Sequence, residues 1–373
     1  MHKMRKRKYR MFGIVLGIIG LLIAFVVAFF HCPNFGRIPQ GKSLERIRKS
    51  PNYYDGSFQN RHETPQLTSG KSYFATALDF LFQKKERVRP EKKLPVVKTD
   101  LWQMKREEDC LVWFGHSSYL LQVDEIRVLV DPVFIESSPM FFYNKPFEGP
   151  NIFRPEDIPE TDYLVISHDH WDHLDYRTVK ALKNRIGKVI CGLGVGEHFR
   201  CWGFDEYQIV EMDWDERVSF LDGLSVHCFP TRHFSGRGLS PNQSLWTSYL
   251  IEFPSRNVYI GGDGGYDDRF TTIGEKFENI DLAILENGQY DKNWKYIHLF
   301  PEQTIQAFQD LNAKTLFTVH HSKYALANHP WDQPLNDIYS LVEKNSVHLL
   351  LPMIGERVNL NDSIHPIKKW WEI

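Results

Sequence analysis

Apolar positions fall into three regimes along the chain. Met11 to Phe30, MFGIVLGIIGLLIAFVVAFF, is a run of 20 residues without a charge. A helix of that length rises about 30 Å, the thickness of a bilayer's hydrocarbon core, so the run predicts a transmembrane helix. From His31 to about Thr99 apolar residues are sparse among Lys, Arg, Pro and Ser, and only SYFATALDFLFQKK shows periodicity. This stretch reads as a basic linker or wrapping segment. From Cys110 onward, short runs of β-branched and aromatic residues are bounded by Gly, Pro and Asp, the signature of strands. CLVWFGH, SYLLQVD and IRVLVDP predict a meander. DYLVIS, KVICGL, LSVHCFP, TSYLIEF, NVYIGG, LAILE and KTLFTVH predict further strands. YRTVKALKNR, with Asp175 as N-cap, and PEQTIQAFQDL, with Pro301 in its first turn, predict helices between them. Runs of strands with helices interspersed predict an α/β fold with two sheets between helical layers.

The implied organisation is a basic segment (1–10), a transmembrane helix (11–30), a linker (31–99) and one catalytic domain (100–373). Charge sharpens the picture. Residues 1–100 carry 20 Lys and Arg against 7 Asp and Glu, and residues 101–373 carry 25 against 40, a split of +13 and −15 hidden by the net −2. An acidic main body argues against a nucleic-acid partner, because phosphate affinity rests on clustered cations. Six basic residues before the apolar run favour a cytoplasmic N-terminus and a catalytic domain on the non-cytoplasmic side, although Arg37, Lys42, Arg46, Arg48 and Lys49 beyond it reduce the asymmetry. The run exceeds the apolar core of a signal peptide, and AFFHCP lacks a small-x-small cleavage site. Cys32, Cys110, Cys191, Cys201 and Cys228 are scattered without a C-x-x-C pair, and read as buried apolar fillers.

The candidate chemistry lies where predicted strands end. After DYLVIS come His168, His170, Asp172 and His173 in HDHWDH; after LSVHCFPTR comes His233; after NVYIGG comes Asp263; after KTLFTV come His320 and His321. Side chains at carboxyl ends of strands converge on one edge of an α/β sheet. Imidazole and carboxylate suit Zn²⁺, with iron or manganese as alternatives. His168, His170 and His233 supply one ion and Asp172, His173 and His320 a second, with Asp263 between them. Paired ions of this kind serve hydrolysis.

HDHWDH, with WFGHSS (113–118), VDP (130–132), GGDGGYDDRF (261–270), YIHLFPEQT (296–304) and HHSKYALANHPW (320–331), resembles the metallo-β-lactamase superfamily. The likeness is to the branch of N-acyl-phosphatidylethanolamine-hydrolysing phospholipase D and ascorbate-6-phosphate lactonase-like proteins. The resemblance implies an αββα sandwich, the same seven metal ligands with two Zn²⁺ per chain, and Asp131 as a carboxylate orienting a ligand histidine. It also places His116 and His298 near substrate and implies the choice of His320 over His321. The expected activity is that of a membrane-anchored phosphodiesterase acting on N-acylated phospholipid or a related lipid phosphodiester, with Asp172 orienting the attacking hydroxide. A lactonase or other ester hydrolase and a non-catalytic metal-binding envelope protein are the alternatives. Oligomeric state is not legible.

Overall fold

The computed structural model describes residues 2–70, 72, 75–76, 85–140, 142–345, 347–362 and 365–373. Of the periodic segment SYFATALDFLFQKK, residues 73–74 and 77–84 fall outside them. Helix α1 (His2–Phe30) contains a 22-residue stretch, Tyr9–Phe30, long and apolar enough to cross a membrane, and none of it is buried against the rest of the chain. A short helix α2 (Gly41–Ile47) and a two-stranded hairpin, β1 (Tyr53–Tyr54) and β2 (Ser57–Phe58), follow. This part of the chain lies on the domain behind it. The Phe58 N–H donates to Asn242 O (2.9 Å), Asn60 Nδ2 donates to His233 O (2.7 Å), and the Thr68 N–H donates to Asn293 O (2.7 Å).

Two mixed seven-stranded sheets form the body. The first is built from β3 (Cys110–Trp113), β4 (Tyr119–Val123), β5 (Ile126–Val130), β6 (Thr161–Ile166), β7 (Ile186–Gly192) and β8 (Ile209–Met212). The second holds β9 (Arg217–Ser219), β10 (Ser225–Pro230), β11 (Thr247–Glu252), β12 (Asn257–Ile260), β13 (Ile280–Glu286), β14 (Thr315–Val319) and β15 (Leu349–Leu350). The last strand, β16 (Arg357–Asn359), returns to the first sheet and pairs antiparallel with β3. In each sheet an antiparallel meander continues into parallel strands: β5 to β8 in the first, β12 to β15 in the second.

Alternation along the strands explains the layering, since successive residues of a strand face opposite sides. Leu111 and Trp113 on β3 and Tyr119 and Leu121 on β4 enter the core between the sheets, with Tyr249, Ile251 and Tyr259 from the second sheet. Val112, Leu120 and Leu129 face the other way, onto Val179 and Leu182 of α3 (Tyr176–Leu182) and Phe199 of α4 (Gly196–Cys201). Helices α5 (Arg269–Lys276), α6 (Pro301–Asp310) and α7 (Gln333–Asn345) contribute Phe270, Ile305 and Leu335 to the core of the second sheet. This is the expected αββα sandwich of two sheets between helical layers, preceded by one candidate membrane span.

The cysteine expectation needs a correction. Cys110, Cys191 and Cys228 are buried strand residues, but Cys32 and Cys201 are exposed; all five are free thiols. Cys32 lies just past α1, where its Sγ contacts Ala28 O at 3.6 Å, and Cys201 closes the short α4 on its outer face.

Candidate metal centre

Strand ends from both sheets meet at one edge. His116 follows β3, Asp131 follows β5, the HDHWDH loop follows β6, His233 follows β10, Asp263 follows β12 and His320 follows β14. Three of these turns hold a non-glycine residue in the left-handed region: His116 (φ 55°), Asp131 (φ 40°) and His320 (φ 68°). Such strain costs energy and collects where a site requires it.

Two nests of ligand atoms result. The ligand atoms of His168, His170 and His233 all lie within 4.8 Å of one another, and so do those of His116, Asp172, His173 and His320. His168 Nε2 is 2.8 Å and His233 Nε2 is 3.2 Å from His170 Nδ1. Asp263 spans the nests, with Oδ2 3.1 Å from His173 Nε2 and 4.0 Å from His233 Nε2, and Oδ1 3.1 Å from His320 Nδ1.

The surroundings fix how these rings point. His173 Nδ1 donates to Asp131 Oδ2 (2.8 Å), which also accepts from Ser167 Oγ (2.6 Å). His233 Nδ1 donates to Ile297 O (2.9 Å). Each leaves Nε2 facing Asp263, the arrangement in which an outer partner sets a ligand's tautomer. His320 faces Asp263, whereas His321 is turned to Ser322 Oγ (2.7 Å) and Thr318 O (3.2 Å).

Burial drives the imidazoles of His168, His233 and His320 well below their ordinary range, which keeps them neutral, the form that binds metal. Burial raises the Asp263 carboxyl, but the facing His173 reverses that and holds it well below the usual range. His173 Nε2, Asp263 Oδ1 and His116 Nδ1 are buried and find no hydrogen-bond partner among the described residues. Buried polar atoms are ordinarily paired. Asp263 Oδ1, unpartnered where the neutral imidazoles of His168, His233 and His320 gather, fits a cation.

A sequence model of the β-lactamase superfamily domain matches residues 126–321. The chain belongs to that superfamily. It is 36% identical over 337 residues to an uncharacterized protein of Mycobacterium tuberculosis, covering 87% of this chain and 88% of the relative. It is 29% identical over 231 residues to N-acyl-phosphatidylethanolamine-hydrolyzing phospholipase D 1 of Caenorhabditis elegans, covering 57% and 64%. Among solved structures it is similar to Igni18, a metallo hydrolase of Ignicoccus hospitalis, with a TM-score of 0.52 and 21% identity, covering 67% of this chain and 97% of that one. The superfamily assignment makes this a metallo-hydrolase with a candidate His/Asp metal centre.

Of the two further histidines, the fold separates the roles. His298 lines a cavity of about 300 Å³ together with His170, Asp172, His233, Asp263 and His320. Its Nδ1 bonds to Glu286 Oε2 at 2.6 Å. His116 is fully buried and holds Asp172, its Nε2 2.8 Å from Asp172 Oδ2. Its ring lies behind the carboxylate and is not among the cavity's walls.

Sequence reading passed over Glu286. At the end of β13 its Oε1 accepts from the Gly264 N–H (2.8 Å) and the Leu299 N–H (3.1 Å), tying the Asp263 loop to the His298 loop. The signal was present: LAILE closes an apolar strand with a carboxylate, as NVYIGGD does. Asp169, between two predicted ligands, was also passed over; its Oδ2 accepts from His198 Nε2 (3.1 Å) and Ser244 Oγ (2.8 Å).

Proposed function

We propose that the chain is a membrane-tethered binuclear zinc phosphodiesterase of the phospholipase D type, acting on N-acylated phospholipid or a related lipid phosphodiester. The observation that carries this reading is the clustering of seven ligand-type side chains from four segments of both sheets, five of which, His170, Asp172, His233, Asp263 and His320, line one apolar-walled cavity. In this reading His168, His170 and His233 would hold one ion and Asp172, His173 and His320 the other, with Asp263 available to both.

Ions held there would lower the pKa of water from 15.7 towards roughly 7 and offset charge on phosphoryl oxygens. The residues of the chain supply the rest. Asp172, fixed by His116, accepts a hydrogen bond from the attacking water and orients its oxygen at phosphorus. His298 stands over the cavity with Nε2 free of its Glu286 bond. Burial lowers the His298 pKa, and the adjoining Glu286 carboxylate more than offsets that, so the imidazole is poised to carry a proton. As the new phosphorus–oxygen bond forms and the headgroup bond breaks, His298 gives its proton to the departing alcohol. Leu67, Phe234, Trp294 and Leu326 give the cavity an apolar wall suited to an acyl chain.

A panel of vesicle-borne N-acylated phospholipids, soluble phosphodiesters and lactones, assayed alongside metal analysis, tests the reading. Close to two equivalents of zinc per chain are expected. So is a kcat/KM that rises with acyl length, by up to ~0.8 kcal/mol per buried CH₂. Preference for lactones, or equal rates on short and long chains, overturns the phospholipase assignment. Metal content near zero in protein prepared without chelator overturns the binuclear one.

A further inference from the structure

The anchor helix does not simply lead into the domain; its exit turn is fastened to the loop that carries the metal ligands. Phe29 and Phe30, at the end of α1, pack on Phe35 with ring centroids 5.1 and 5.2 Å apart, and Phe35 meets Trp171 edge-on at 5.0 Å. Trp171 stands between His170 and Asp172. Its other partner is Arg237, whose guanidinium carbon lies 4.0 Å from the Trp171 ring centre.

Arg237 is buried, and it joins the two segments through hydrogen bonds. Nη2 donates to Asn34 O (2.7 Å), and Nη1 donates to Asp169 O (2.9 Å) and Leu174 O (2.6 Å). A third link runs through His198. The Arg37 N–H donates to His198 Nδ1 (3.1 Å), which places the ring proton on Nε2, where it is donated to Asp169 Oδ2 (3.1 Å). Gly36 makes this approach feasible: its φ is +69°, and a Cβ there would lie 2.1 Å from His198 Nδ1.

The residues gripped, Asp169 and Trp171, are the two of the HDHWDH loop that have no ligand role. Gripping them sets the direction of the four that do. We propose that the juxtamembrane turn Pro33–Arg37 is a positioning element of the metal centre, acting through Trp171, Arg237 and the His198–Asp169 pair, so that the end of the anchor forms part of the site's scaffold. The proposal rests on the reading that the HDHWDH loop binds metal. It is separate from any role of the helix in tethering.

The test uses full-length protein in detergent, with Co²⁺ as the probe. Dissociation constants are taken by chelator competition and ligand geometry from the visible cobalt spectrum, with melting temperature recorded in parallel. Phe35→Ala is expected to weaken Co²⁺ binding by 10-fold or more, the usual cost of losing an outer partner of a metal site, and to alter the cobalt spectrum. Phe35→Leu should fall between it and the wild type, and decides the matter in the same way where Phe35→Ala does not fold. A chain in which residues 11–27 are exchanged for an unrelated apolar helix should match the wild type in both readouts. Wild-type affinity and spectrum in the Phe35 variants, with only a lower melting temperature, overturn the proposal and leave the metal reading standing. A wild-type chain that takes up no cobalt overturns both.

Discussion

His298 and Asp263 occupy the same cavity but invite different failures. Asp263→Ala removes the carboxylate shared between the two nests. Bound metal should fall below two equivalents and activity should drop by more than the 10–100-fold typical of an outer partner, as elemental analysis and initial rates will show. His298→Ala leaves every proposed ligand in place. Metal content should stay intact while kcat falls about 100-fold or more, the usual contribution of a positioned proton donor. A third residue, Lys323, tests burial away from the centre. Its Nζ donates to Val133 O (2.8 Å) and Phe114 O (3.3 Å), and burial pushes the ammonium down to about 7. Between pH 7 and the ordinary lysine value near 10, the unfolded chain therefore holds the extra proton, and stability from this group rises with pH across that window. Relative to Lys323→Met, the wild type should gain up to ~2–3 kcal/mol between pH 7 and pH 9, measured by denaturant unfolding at the two pH values.

At the scale of elements, the capping of α3 reaches beyond the helix. Asp175 Oδ1 accepts from the Arg177 N–H (3.0 Å), while Oδ2 accepts from the N–H groups of Ile135 (2.8 Å) and Glu136 (3.0 Å), pinning the loop after β5. Asp175→Ala should cost ~2–4 kcal/mol, from a lost cap and stranded buried donors, with Asp175→Asn less severe; chemical denaturation will rank the three. Asp175 was legible as an N-cap, and the strands from CLVWFGH to KTLFTVH were legible because burial on both faces makes their runs apolar throughout. Besides the two-residue strands of the β1–β2 hairpin, four strands gave no such signal. The β8 segment keeps a polar Glu211 among its apolar residues, β9 alternates around exposed Arg217 and Ser219, β15 is two residues long, and β16 places only Val358 inward. The candidate ligands were legible because each follows a visible strand. The His198–Asp169 and Arg237–Asn34 links were not, because sequence separation hides which loops meet, and nothing in a lone Phe35 announces a ring contact with Trp171.

For the whole molecule, the proposed topology puts the domain on the non-cytoplasmic side of the span. Protease added to intact cells or spheroplasts should then digest the domain, and protection until lysis would reverse the orientation. Wherever it resides, the order of strands governs how it is made. The β3 edge of the first sheet is closed by β16, whose Arg357 pairs with Val112, roughly 245 residues earlier in the chain. Long-range pairing of this kind is slow to form. While a nascent chain is still emerging, β3 therefore presents an open edge until residue 359 has been synthesised. The first sheet is thus sealed after translation of its own meander by roughly 10–50 seconds of chain growth at ~5–20 residues per second. An unpaired strand edge exposed for that interval is a place for chaperones to bind and for a neighbouring nascent chain to add a strand.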